Sequence, residues 1–134
     1  MVILDEKNPL RYFFRGMMLY GLTAENAWEF FRLHPEFTVY EFFAKCKIMH
    51  SFDEFDCKGR LIYAGDIVKV IKKDHILLGN RFVVRWSKKT YKFEPFDILI
   101  DSGKDCEIIG NVCENPRIRV FRRDYVGIWV SLPL

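Results

Sequence analysis

The apolar positions of this chain change period near Ser51. Upstream they recur at helical spacing; downstream they alternate or gather in short runs bounded by turn residues. At the start, Asn8-Pro9 is a breaker, and Arg11–Arg15 and Met17–Tyr20 read as strands parted at Gly16 and closed by Gly21. A short helix is the competing reading of those residues. Thr23 is then placed to cap a helix over Ala24–Leu33, with Ala24, Ala27, Trp28 and Phe31 on one face. His34-Pro35 ends it, because a residue before proline avoids the α region. Thr38-Val-Tyr-Glu41 has the spacing of a capping box. The helix it opens is expected to reach about His50, with Val39, Phe42, Phe43, Cys46 and Met49 along one stripe. Two short helices with a short connection make an αα-hairpin.

Ser51–Arg60 is polar and reads as a linker. Strands follow it closely: Leu61–Tyr63, a turn at Ala64-Gly65-Asp66, then Ile67–Ile71. Leu77-Leu78 leads over Gly79-Asn80 into Phe82–Trp86, and Ser87–Thr90 turns the chain. Tyr91–Phe93 and Phe96–Ile100 flank Pro95, and Cys106–Val112 is interrupted at Gly110-Asn111. In the tail, Arg117, Arg119 and Phe121 alternate with Ile118, Val120 and Arg122. A turn at Arg123-Asp124 into Tyr125–Val130 predicts a final hairpin. Short strands at ~8–12-residue spacing imply an all-β barrel or sandwich. The expected organisation is a helical segment over 1–50, with an edge strand at 11–20 as the alternative there. A β-barrel domain with its C-terminal hairpin covers 51–134, and both pack as one compact unit.

Composition supports a packed core, since half the residues are hydrophobic and 16% are aromatic. Seven of the thirteen Phe fall in the first fifty residues, more than two short helices can hide between themselves. Net charge is +3, with six Lys/Arg against six Asp/Glu up to His50 and fifteen against twelve beyond it. That excess is far from the basic stripe of a dedicated nucleic-acid binder. The four cysteines form no C-x-x-C pair, and the closest two, Cys106 and Cys113, have six residues between them. With no signal peptide and no long apolar run, free thiols in a reducing cytoplasm are expected, away from any membrane.

Nothing in the sequence assembles a catalytic signature. His34, His50 and His75 fall at helix ends and in a loop, outside any Ser/His/Asp or Cys/His pattern. His50, Asp53, Asp56 and Cys57 are metal-ligand types, but their spacing fits neither common zinc sites nor calcium loops. The expectation is therefore a non-enzyme, without catalytic, cofactor-binding or metal-ligating residues.

Two turn-rich segments carry a resemblance. Lys58–Lys69 contains Gly59, Ile62, Tyr63, Gly65, Asp66, Ile67 and Val68; Cys106–Pro116 contains Glu107-Ile-Ile-Gly-Asn111 and Glu114-Asn-Pro116. Between them lies Val83-Val-Arg-Trp86. In this order the segments resemble the hallmark pair of the YopX family of bacteriophage and prophage proteins, over roughly residues 50–116. The resemblance implies an α+β, mainly β fold built on a small SH3-like barrel, and a bacterial host cytoplasm. It implies no activity. The helical hairpin and the tail lie outside the pattern, and Phe13-Phe-Arg15 echoes the family's opening strand only loosely.

Two binding readings follow. Lys72, Lys73, Lys88, Lys89, Arg122 and Arg123 lie among aromatic residues, as in surfaces that neutralise phosphates and stack bases. The plainer account puts these cations on the solvent side of strands and the aromatics in the core. The preferred reading is a protein-interaction module whose interface includes Phe30, Phe31, Phe42 and Phe43. Its partner is a host or phage protein, or a second copy.

Overall fold

The computed structural model describes residues 2–3, 9–123 and 129–134. It is mainly β with two short helices, and it divides into two compact units, Met1–His50 and Ser51–Leu134.

The first unit is a hairpin-led sheet with two helices. Strands β1 (Val2–Ile3), β2 (Leu10–Phe14), β3 (Met17–Tyr20) and the start of β4 (Lys47–Phe55) lie in the order β1-β3-β2-β4. The segment around Gly16 is thus a strand pair and not a helix. Its tight turn needs φ > 0 at both central residues, and Arg15 (φ 49°) and Gly16 (φ 78°) supply it. β1 joins β3 in parallel, whereas β3 and β4 both flank β2 antiparallel.

Helix α1 (Ala24–Leu33) starts at Thr23, whose hydroxyl accepts the Asn26 amide, while the Asn26 side chain accepts the Thr23 amide. That reciprocal pair satisfies two donors that a helix start leaves open. The buried face differs from expectation: Phe30 is buried, with Ala27 and Phe31 half-buried, and Trp28 points outward. Helix α2 (Val39–Lys45) starts at Thr38, whose hydroxyl accepts the Glu41 amide.

The expected helix to His50 is corrected, because α2 stops at Lys45 and Cys46 is extended (ψ 150°). From Lys47 the period becomes two: Met49 is buried between exposed Ile48 and His50, and Lys47–His50 pair with Leu10–Phe13. A free edge of β2 offers ladder hydrogen bonds that overrule a weak local helix preference. The core joins both layers: Phe14 and Leu19 from the strands, Phe30 and Phe42 from the helices, Leu22 and Phe37 from the connections.

The second unit is a set of small antiparallel sheets. Here β4 pairs with β5 (Leu61–Tyr63), so Ser51–Phe55 is strand and the expected linker shrinks to the turn after it. The ladder shifts register between Ser51 and Phe55, where Asp53 adopts φ 64°. That irregularity, with its polar residues, hid the strand from a periodicity argument. A three-stranded sheet places β6 (Asp66–Val70) between β7 (Arg81–Val83) and β10 (Cys106–Asn111), where β10 bulges between Ile108 and Gly110.

The single strand expected over Phe82–Trp86 divides at Val84. Its amide and carbonyl bond Asp66 and Gly65, and the chain then leaves in β8 (Arg85–Ser87), paired with β9 (Lys92–Glu94). Leu77-Leu78 and Phe96–Leu99 are turns and not strands; the amides of Leu99 and Ile100 fold back on the Pro95 carbonyl. The C-terminal hairpin pairs β11 (Arg119–Arg123) with β12 (Trp129–Pro133). Its expected turn at Arg123-Asp124 involves residues beyond those described. The core gathers Ile62, Val68, Val70, Phe82, Val84, Ile100 and Cys106, and burial pushes the Cys106 thiol up to about 12.

Candidate functional site

The two turn motifs fold into polar corners. In the first, Gly65 takes φ 94°, which only glycine adopts without strain, and the buried Asp66 carboxylate accepts the Tyr63 amide at 2.8 Å. In the second, the Asn111 side-chain oxygen accepts the amides of Cys113 and Glu114, and its amide nitrogen donates to Glu114. Asn115 returns its oxygen to the Asn111 amide at 3.1 Å. Gly110 makes this return possible, because a Cβ there would sit 2.4 Å from that Asn115 oxygen.

A third corner was not singled out from the sequence. Buried Asp56 accepts the amides of Lys58, Arg60 and Ile108 and also binds the Arg60 guanidinium. Burial pushes this carboxyl up, but the Ile108 and Arg60 hydrogen bonds outweigh it and hold it below the usual aspartate range. Asp56 belongs to the same polypeptide stretch as the turn glycine Gly59, and only the long-range bond to Ile108 reveals its importance. All three corners spend their polar atoms inside the fold, which is the work of fold-defining turns.

A family model described as YopX protein matches residues 21–118, which include all three corners. The chain belongs to the YopX family. The match begins well before the residues that carried the resemblance, so α1 and α2 are part of the family region and the earlier exclusion of the helices is corrected. Most of the C-terminal hairpin lies past its end. No curated protein matches the chain.

The surfaces of this YopX family member are less evenly built than its corners. Of the four phenylalanines expected at an interface, Phe30 and Phe42 are core residues and Phe31 is half-buried, leaving Phe43 exposed. The exposed apolar residues of the first unit include three that pattern reading assigned elsewhere or passed over: Trp28 (79% exposed), Tyr40 (84%) and Leu33. They lie on α1 and α2, and α2 also exposes Val39 and Phe43.

In the second unit, Lys72 and Lys73 are exposed in the turn after β6, and Lys88 and Lys89 in the β8–β9 turn. Arg122 is half-buried in β11, and Arg123 ends that strand opposite Trp129. Thus the β8–β9 hairpin gathers four exposed cations, Arg85, Lys88, Lys89 and Lys92. It also exposes Trp86 (50%) and Tyr91 (76%), contrary to the expectation that its aromatics all turn inward. Trp86 is anchored edge-on to Phe93, which stacks on Phe52 at 4.6 Å.

The histidines are dispersed. His34 bonds Glu36 at 3.1 Å and stacks on Phe37, His50 is exposed in β4, and His75 accepts the Leu77 amide. Among the described residues no three His, Cys, Asp or Glu side chains gather at a metal site, and no helix is long and apolar enough to cross a membrane. Cys57 is exposed while Cys106 is buried, although the Cys57 amide donates to the Cys106 carbonyl at 2.9 Å.

Proposed function

We propose that this YopX family member is a non-catalytic protein-interaction module acting in the cytoplasm of a bacterial host. Its partner is a host or phage protein, or a second copy, and it docks on the helical hairpin of the first unit. The second unit, as a small SH3-like barrel, supplies the scaffold. The carrying observation is that Trp28, Leu33, Val39, Tyr40 and Phe43 stand exposed on two short helices whose own core is already filled. Isolated exposed apolar side chains are ordinary, but five across two short helices support a contact surface there.

The test compares the wild type with the double variant Trp28→Ser, Tyr40→Ser. Light scattering of the pure protein and affinity capture from host lysate are both run. A dimer, or a stoichiometric partner, that is present for the wild type and lost in the variant supports the reading. A monomer whose captured proteins are the same in both forms removes it.

A second reading is supported by the β8–β9 hairpin, where exposed Trp86 and Tyr91 stand among Arg85, Lys88, Lys89 and Lys92. Stacking faces beside phosphate-neutralising cations suit single-stranded nucleic acid. Reversing Lys88 and Lys89 to Glu is expected to weaken oligonucleotide binding and to flatten its dependence on salt.

A further inference from the structure

A cavity of about 250 Å³ opens in the second unit, lined by residues of β7, β8, β9 and both strands of the C-terminal hairpin. Its aromatic lining is Phe82, Phe121 and Trp129. Phe121 and Trp129 stack at 5.5 Å, and Phe82 stands edge-on to both, at 5.6 and 5.8 Å. Its charged lining is Arg85, Glu94 and Arg122. The Arg122 Nε is buried and has no hydrogen-bond partner among the described residues. A guanidinium donor removed from water without an acceptor is a standing cost, which a bound anion would relieve.

We infer that this cavity receives one nucleotide of a single-stranded nucleic acid. The base lies against the aromatic wall, the phosphate meets Arg122 and Arg85, and an amino group of the base donates to Glu94. The assignment rests on the second reading above and extends it from the hairpin surface to a specific pocket. Glu94 decides the ligand class. A carboxylate in the lining repels a simple anion, so the occupant must carry an N–H donor at one end and negative charge at the other. A nucleotide with an amino-bearing base has both. The size agrees, since the volume lies below the ~300–1,000 Å³ usual for larger ligands and suits a single ring with its phosphate. Continuity supplies the rest: Arg85 and Glu94 face each other in the β8–β9 ladder, and the same two strands carry Trp86 and Lys92 onward. A strand leaving the pocket would meet those side chains next.

The test measures binding of labelled oligo(dC) and oligo(dT) to the full chain at low salt. Cytosine has an exocyclic amino donor, whereas thymine offers only its N3–H, flanked by two carbonyl oxygens that a carboxylate repels. Oligo(dC) is expected to bind about tenfold tighter, the effect of one good base contact. Glu94→Leu should erase that preference, and Arg122→Met should weaken both ligands by about tenfold. Equal binding of the two, insensitive to Arg122→Met but weakened by reversing Lys88 and Lys89, overturns the pocket and leaves the hairpin reading standing.

If neither oligonucleotide binds, the hairpin reading and the pocket fall together; where they bind, the pocket is checked separately with cytidine monophosphate, following the Trp129 indole resonance by NMR. A shift with the nucleotide and none with inorganic phosphate supports the pocket. No shift, or an equal shift with phosphate, overturns it. That titration uses the wild type, so the outcome does not depend on the variants folding.

Discussion

At the scale of single residues, the polar corners dominate the energetics. Asp56 is buried, yet every lone-pair direction it offers is taken by an amide or the Arg60 guanidinium. Removing it in Asp56→Ala strands three backbone donors, and is expected to cost about 2–4 kcal/mol in chemical denaturation. The depressed pKa of Asp56 sets the pH behaviour. Its folded form binds a proton less readily than its unfolded form, so its contribution is complete at neutral pH. It fades only as pH falls below the ordinary aspartate range. The stability gap between the wild type and Asp56→Asn should therefore be constant around pH 7 and narrow in acid; a gap that widens in acid would contradict the assignment. Gly110 is a steric case: Gly110→Ala drives a methyl into Asn115, whose oxygen holds the Asn111 amide. A loss of about 1–3 kcal/mol is expected, and Asn115→Ala in the same background should recover little of it, because the hydrogen bond is then gone as well.

At the scale of elements, the chain was legible wherever one signal governed. Thr23 and Thr38 announced both helix starts, Gly16 parted two strands, and the Gly110-Asn111 pair marked the bulge. Legibility failed where partners outvoted local pattern. Met49 fits a helical stripe and a strand face equally well, and only the open edge of β2 decides between them. Val84 looked like mid-strand because nothing local reveals that its backbone bonds the Gly65-Asp66 corner. The candidate surfaces were read least well. Phe30 and Trp28 are both aromatic and two residues apart, yet one is core and the other solvent-facing, a phase that depends on where the sheet lies. Thr23 and Trp28 predict opposite experiments. Thr23→Ala, which removes the α1 cap, should cost about 1 kcal/mol in thermal or urea unfolding. Trp28→Ser should change stability by less than about 0.5 kcal/mol while affecting association.

For the whole molecule, the division at His50 separates two kinds of surface. The first unit has an aromatic core and apolar residues left over on its helices; the second has basic, aromatic hairpins around corners that the family match includes. The exposed cations of the β8–β9 hairpin thus lie apart from the core and the polar corners. Surface variants such as the Lys88 and Lys89 reversals can be interpreted as binding effects, provided the unfolding midpoint is unchanged.

The contrast between Cys57 and Cys106 gives the protein a clock. The first thiol meets solvent, while the second is sealed in the core and resists ionisation. Thiolates attack alkylating reagents, so Cys57 should label early and Cys106 only during openings of the second unit. Mass spectrometry of the labelled protein over hours would then read out the frequency of those openings. Asp56→Ala, which loosens the corner beside Cys57, should quicken labelling of Cys106 without altering that of Cys57.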